Sequence, residues 1–354
     1  QLGMTALHIA AYHNNEHLAM ILLDSGRVEI DARDKNGRTP LHYAALNGSD
    51  EVLNMLIGNE DEKGASISAL DNEGRTPAMH AVEFNHLECL TSLFPMTSAV
   101  PTAEINRQDK EGLTALHVAC LNSHKDCVEY LIAKGADVGL ADNTGRTALM
   151  AAAFGGSRKC IDAVLSTLDG TARIALIAKG DQNKRTAIFY AAMNNKKQAL
   201  RKLFFCNADI NQRDNIGFTP VHWICYCGHW KCLQILTNVE VEDSKGLSLL
   251  HLAVINGHLK CVEYLVDTLQ GNINFKDSKG RTALHKAIKG DHSRVVEFLL
   301  SRGAVIDAPD VKGITPLLLC LRYGSINCLS ALLQAAPNLG FSDKRKRNCV
   351  HYCA

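Results

Sequence analysis

At 354 residues a conventional globular chain divides into two or so domains, and a repeat array is the main class of chain that escapes this division. Lysine plus arginine is 38 against 37 aspartate plus glutamate, and the net charge of +1 gives no long-range pull toward nucleic acid or anionic lipid. Hydrophobic residues make up 46% of the chain, yet no apolar run approaches the ~20 residues of a membrane span and no signal-like segment opens it, so no direct membrane insertion and a soluble cytoplasmic protein, with the nucleus as a further location, are the expectation.

The chain is punctuated by a segment of the form D-x-x-G-x-T-[PA]-L-H-x-A, at 34–44, 109–119, 214–224 and 277–287. With the threonine as marker, it recurs at Thr5, Thr39, Thr76, Thr114, Thr147, Thr186, Thr219, Ser248, Thr282, Thr315 and, degenerately, Asn348. The spacings are 34, 37, 38, 33, 39, 33, 29, 34, 33 and 33. Five residues before each of the last ten markers stands an aspartate: Asp34, Asp71, Asp109, Asp142, Asp181, Asp214, Asp243, Asp277, Asp310 and Asp343. The Asp and the glycine after it predict a tight turn, because Asp bonds its own backbone and Gly tolerates positive φ. The marker then caps a short helix whose first position takes Pro40, Pro77, Pro220 or Pro316, where a missing amide hydrogen is harmless. An Asn-Gly or Gly-His pair closes that helix. A second follows with apolar residues at helical spacing, as in Cys127, Val128, Leu131 and Ile132 or Val295, Val296, Phe298, Leu299 and Leu300.

Between the regular units lie three departures. An elongated linker after Ile57 carries Glu60, Asp61 and Glu62 and reads as a surface loop. The extra residues after Ser166 predict an additional helical turn over 172–178 beside the fifth repeat. The basic run Lys344, Arg345, Lys346 and Arg347 falls on the last finger tip, where charge is solvated; a localisation signal is the alternative.

Period and motif resemble the ankyrin-repeat proteins over essentially the whole chain, and imply an all-α ankyrin-repeat solenoid of about eleven repeats, stacked helix-turn-helix units with β-hairpin fingers. The expected organisation is one solenoid over 1–354, a piece of a longer chain with incomplete first and last repeats. Within the family, "GFTPVHWICYCGHWKCLQIL" at 217–236, the shortened step to "LHLAVINGH" at 250–258 and the lengthened "LVDTLQGNINFKDSKGRTALH" at 265–285 look like the regulatory subunits of protein phosphatase 6. Inversin-type ciliary scaffolds match in part, as in "ALHIAAYHNNEHLAMILL" at 6–23.

One cluster imitates a zinc site: His222, Cys225, Cys227, His229 and Cys232. The repeat register explains most of it. His222 is the motif histidine, like His8, His42, His117, His251, His285 and His351; His229 is the histidine of the inter-helix turn, like His86, His124, His258 and His292. Cys232 stands thirteen residues after its marker, as do Cys89, Cys127, Cys160, Cys261 and Cys328, a recurrence that marks a small buried apolar position and reduced thiols. Neither a metal site nor a cofactor is expected. No nucleophile motif or phosphate-loop spacing is present in the sequence, so the expectation is a protein that is not an enzyme.

The resemblance implies a concave face built from finger tips and first helices, with variable positions four, three and one residues before each marker and seven and eight after it. From the fifth to the eighth repeat these positions hold Phe154, Met193, Ile216, Phe218, Tyr226, Leu247 and Ile255, flanked by Arg146 and Arg185. Aromatic and methionine anchors with arginine are what interface centres are enriched in, and these residues are the candidate protein-binding site. Further on, Arg281, Lys289, Lys312 and Arg322 beside Tyr323 favour a partner segment that is apolar in its middle and acidic at one end. The expected role is a protein-interaction scaffold or regulatory subunit, of the phosphatase-6 type by resemblance; the alternatives are the cytoplasmic ankyrin domain of an ion channel, an inversin-type ciliary scaffold, and an appendage to an enzyme encoded outside this stretch.

Overall fold

The computed structural model describes residues 3–58, 64–96, 101–235 and 247–353. Glu60, Asp61, Glu62, Asp243 and the Leu236 that ends one of the motifs quoted above lie outside the described residues. The chain forms two compact units, Gln1–Tyr190 and Ala191–Ala354.

In the first unit the helix pairs are Ala6–Tyr12 with Glu16–Asp24, Pro40–Asn47 with Asp50–Ile57, Pro77–Glu83 with Leu87–Leu93, Ala115–Leu121 with Lys125–Ala133, and Ala148–Gly155 with Arg158–Ser166. First helices pack on first helices and second on second, each against its sequence neighbour. The second unit repeats the scheme with Pro220–Cys227 and Trp230–Leu233, Leu249–Ile255 and Leu259–Glu263, Ala283–Lys289 and Ser293–Ser301, and Pro316–Tyr323 and Ile326–Gln334. Each helix is too short to be stable alone, so its stability comes from burying one apolar face between neighbours. Leu53, Leu90, Val128 and Ile161 are fully buried in the first unit, as are Leu233, Val262, Val296 and Leu332 in the second.

The extra segment of the fifth repeat is longer than the turn expected at 172–178. It forms a full helix, Gly170–Ala178, because Asp169 caps it: Oδ1 accepts the Ala172 amide at 2.8 Å, and the helix buries Leu176 and Ile177. The lengthened step after Ser248 is absorbed inside a helix. Leu259–Glu263 runs on into a π-helical turn, Tyr264–Thr268, where Leu269 N–H reaches back to the Tyr264 carbonyl at 3.2 Å.

The fingers depart from the β-hairpins expected. Among the described residues they carry no strand, only one antiparallel bridge, Ala141 with Thr147. Each is a tight turn in which the Asp amide donates to the carbonyl four residues on, as Asp34 does to Arg38 at 2.9 Å. The reason is local: Oδ1 of the same Asp accepts the amides two and four residues on, in Asp34 from Asn36 at 2.8 Å and Arg38 at 2.9 Å. Those amides are thereby removed from any ladder. Single backbone bonds link finger to finger, such as Asn143 N–H to the Glu111 carbonyl at 2.9 Å. Gly112, at φ +82°, makes this approach feasible, since a Cβ there would lie 2.6 Å from the Asn143 nitrogen.

The motif histidine joins repeats. The Thr39 amide donates to His42 Nδ1 at 3.1 Å, so that nitrogen carries no proton, and Nε2–H donates to the Arg75 carbonyl of the next repeat at 3.1 Å. His8, His117, His251 and His285 do the same toward Arg38, Arg146, Arg281 and Ile314. Burial pushes the imidazoles of His42 and His285 down to about 4 and lowers that of His117. An unfolded histidine titrates near 6.5. Between about 6.5 and 4 the unfolded chain therefore holds more protons, and stability falls as pH is lowered through this window. Thermal melts followed by circular dichroism should show the midpoint dropping steadily from pH 7 to pH 4. His285→Gln should lower the midpoint at pH 7 and flatten that slope; an unchanged slope would remove His285 as a source of it.

Where the histidine is replaced the cap loses its imidazole, although Thr76 and Thr315 still accept the Met79 and Leu318 amides at 3.3 and 3.4 Å. In the fifth repeat Met150 occupies the position, and Thr147 Oγ1 is buried with no hydrogen bond. A buried unsatisfied hydroxyl costs roughly 1–3 kcal/mol. Met150→His, of similar volume, should restore the Thr147 bond and stabilise the protein by about 1 kcal/mol in a denaturant titration. A loss of stability would show that the imidazole does not fit.

Candidate functional site

The predicted residues fall into two groups, one in each unit. In the first, Arg146 stands just before the cap of Ala148–Gly155 and Phe154 near its end, and both line a cleft of 230 Å³ with Leu113, Leu121, Met150 and Tyr190. Phe154 is 41% exposed. Arg146 is held rather than mobile: its Nε donates to Asp142 Oδ2 at 2.6 Å. Burial of the Asp142 carboxyl opposes ionisation, but hydrogen bonds from Thr144 and Arg146 outweigh it and lower its pKa. Tyr190 donates its hydroxyl to Asp181 Oδ2 at 2.7 Å, and burial together with that carboxylate pushes the phenol up. Arg185 is half-buried and does not line this cleft.

In the second unit the structure brings Phe218 and Tyr226 together, ring centroids 6.3 Å apart and edge to face. Trp223 completes the cluster at 5.5 Å from Phe218 and 5.8 Å from Tyr226. Its Nε1 donates to Asp214 Oδ2 at 2.9 Å, which fixes the indole. Phe218 is half-buried and lies flat over His222 at 5.4 Å, so part of it serves the repeat itself. Ile216, on the finger tip, is 52% exposed and Tyr226 39%. Asn256 Nδ2 and His258 Nε2 both donate to the Tyr226 carbonyl, at 2.7 and 3.0 Å, and anchor the backbone that carries the ring. Met193, Leu247 and Ile255 are half-buried, and Tyr323, at the end of Pro316–Tyr323, is 47% exposed. Of the basic residues named with it, Arg281 lies 3.4 Å from Asp310 Oδ2, while Lys289, Lys312 and Arg322 are exposed.

Trp223 and Tyr190 were not read as site residues from the sequence. Both stand nine residues after a finger aspartate, and that interval was the available signal. The acidic residues Glu73, Asp109 and Glu111 line a second cleft in the first unit; of these the sequence motif singles out only Asp109, as a turn residue.

The zinc-like cluster is distributed among repeat roles. His222 Nδ1 meets Thr219, His229 Nδ1 hydrogen-bonds with the Ala192 carbonyl at 2.9 Å, and Cys232 Sγ lies 3.5 Å from Asn195 Oδ1. Among the described residues no three His, Cys, Asp or Glu side chains are placed to hold a metal ion. The run at 344–347 sits on its finger with Lys344, Arg345 and Lys346 exposed and Arg347 paired to Asp343 at 2.7 Å. No helix among the described residues is long and apolar enough to cross a membrane.

Burial raises the thiols at the thirteenth position, Cys89, Cys261 and Cys328 to about 12, Cys127 and Cys232 to about 11, and Cys160 also upward. Such thiols are poor nucleophiles and poor metal ligands. With an aromatic disulfide reagent at mild pH, exposed Cys353 should react first and these six only after denaturant is added. Fast reaction of any of the six in the native protein would contradict their place in the core.

A family model described as ankyrin repeats (3 copies) matches residues 1–70, 98–174, 171–241, 188–277 and 237–310. Over 287 residues the chain is 29% identical to the transient receptor potential cation channel subfamily A member 1 of Drosophila melanogaster, covering 67% of this chain and 23% of that protein. Over 164 residues it is 37% identical to the B-cell lymphoma 3 protein homolog of Mus musculus, covering 45% of this chain and 34% of the other. A crystal structure of the ankyrin repeat domain of Bcl-3 aligns with a TM-score of 0.49 at 29% identity, covering 62% of this chain and 94% of that one. The chain thus spans between about a quarter and a third of the length of these two curated relatives.

Proposed function

Because the chain belongs to the ankyrin-repeat family, whose repeats bind other proteins, we propose that it is a scaffold or regulatory subunit which holds a partner protein on its first-helix face and does no chemistry itself. The observation that carries this is the Phe218, Trp223 and Tyr226 cluster, with Ile216 beside it on the finger: aromatic surface held on rigid backbone and open to water. Preordered aromatic side chains lose little entropy on binding and are the usual energetic centres of interfaces. Phe154 and Arg146 serve the same purpose in the first unit. Arg185, Met193, Leu247, Ile255 and Tyr323 belong to the reading as flanking contacts, and a cytoplasmic location goes with it.

The motif resemblance at 217–236 and 250–258 supports a phosphatase-6 type of assembly as the partner. A second reading, the cytoplasmic ankyrin domain of an ion channel, is favoured by the length of the match to the Drosophila channel subunit. Flanking sequence separates them, since a channel requires several apolar spans of ~20 residues.

The binding face is tested with a partner captured by affinity and then purified. Ile216→Ala with Tyr226→Ala avoids uncovering His222 and should weaken binding at least about tenfold, roughly 1.4 kcal/mol, with the melting midpoint nearly unchanged. Leu131→Ala, at a fully buried position, should instead destabilise the fold by about 2–5 kcal/mol. Unaltered affinity in the Ile216 and Tyr226 double variant would eliminate this face as the binding surface.

A further inference from the structure

All but one of the described finger aspartates divide the carboxylate between two tasks. Oδ1 accepts backbone amides, and Oδ2 takes a side-chain donor from the residue nine positions on: Tyr43 at 2.8 Å, His80 at 3.0 Å, Trp223 at 2.9 Å, Lys286 at 2.6 Å, Tyr352 at 2.9 Å. Where that position is apolar, arginine substitutes. Arg146 reaches Asp142 over Ala151, and Arg281 from the preceding finger reaches Asp310 over Leu319.

Asp109 breaks the pattern. The position nine residues on is Val118, and the place that Arg146 holds in its own finger is taken by Leu113. The preceding finger's Arg75 is engaged by Asp71 at 3.3 Å and Glu83 at 3.4 Å. Oδ1 accepts the Glu111 and Leu113 amides, while Oδ2 has no side-chain donor among the described residues. Alone among the described finger aspartates, Asp109 is half-buried rather than buried. It lines a cleft of 350 Å³ that carries four carboxylates, Glu73, Glu83, Asp109 and Glu111, against the one guanidinium of Arg75. Glu73 and Glu111 are exposed and have no ion-pair partner among the described residues. Beside them, Leu113, Val118 and Leu121 present partly exposed apolar surface.

We propose that this cleft receives a lysine or arginine side chain of a partner protein, its cationic head on Asp109 Oδ2 and its methylene stem along Leu113, Val118 and Leu121. The chain contains its own precedent in the Lys286 ammonium on Asp277 Oδ2. An apolar wall beside a carboxylate suits a long stem with a charged tip, and the surplus of carboxylates excludes acidic and phosphorylated residues. The proposal rests on the reading of the first-helix face as the binding face and adds the chemistry it selects.

The probe is a phage-displayed library of random peptides panned on the whole chain, with selected sequences measured as synthetic peptides by fluorescence polarisation. Selected peptides should share a lysine or arginine whose replacement by norleucine weakens binding at least about tenfold. Val118→Lys supplies in cis the donor that Lys286 gives Asp277, so it should weaken the same peptides about tenfold while leaving the melting midpoint unchanged or higher. It should have no further effect on the norleucine peptides. Asp109→Asn keeps the Oδ1 acceptor, removes the charge, and should weaken binding and reduce its salt dependence; it decides the matter if Val118→Lys does not fold. Peptides without a shared cation, or peptides insensitive to both variants yet lost in Ile216→Ala with Tyr226→Ala, would overturn this proposal and leave the binding face standing. Insensitivity to all of these substitutions would overturn both.

Discussion

The repeat depends on an imidazole that accepts at one nitrogen and donates at the other. A backbone amide can only donate, so the Thr39 N–H on His42 Nδ1 dictates the tautomer, and the tautomer dictates that Nε2–H bonds the next repeat at Arg75. One neutral ring thus caps its own helix and fastens its neighbour. Protonation would set one N–H against another, in a place where burial already disfavours charge. The same ring that gives the repeat its rigidity makes it sensitive to acid, and both properties follow from a single threonine-x-x-histidine spacing.

The finger aspartate plays the corresponding part in the turn just before the same helix. Its Oδ1 closes the turn in every described finger that carries it, which leaves Oδ2 as the place where repeats differ. Tyrosine, histidine, tryptophan, lysine or arginine satisfies it from different directions, and each choice puts a different side chain at the edge of the first-helix face. In Asp71 burial opposes ionisation, yet the bonds from His80 and Arg75 hold its carboxyl well below the usual carboxylate range. Recognition surface and turn stability are therefore coupled through one atom per repeat.

Most of the fold was legible because its determinants are local and recur. Ten aspartates at one offset, the cysteines at another and the histidines at a third each identify a position before any contact is known, and Cys89, Cys127, Cys160, Cys232, Cys261 and Cys328 are all buried. What the sequence did not reveal depended on competition or geometry. The fingers lack strands because the aspartate side chain takes the amides a strand would need. The long step after Ser248 forms a π-helical turn, since an extra residue inside a helix can be absorbed without unpacking Leu265. For the site, periodicity identified Phe218 and Tyr226 as neighbours of the groove, yet could not show that Phe218 also covers His222 or that Trp223 joins them. Arg281 counted as free positive charge until its pairing with Asp310 was visible.

Asp109, whose Oδ2 has no side-chain donor among the described residues, shows how a binding face can be built into such a scaffold at small cost. A half-exposed carboxylate that lacks one hydrogen bond still keeps water on that oxygen, so the stability forgone is about that of a single net hydrogen bond, of the order of 1 kcal/mol. That is small against the total of many repeat interfaces, and the one-dimensional architecture confines it to the fourth repeat and its neighbours. In a globular core the same omission would disturb packing on every side. Here the first-helix face is open by construction, and exchanging a donor for Val118 at one position turns an internal bond into an available acceptor next to apolar surface. Specificity on this face can therefore be set by which fingers complete their own aspartate and which leave that to a partner.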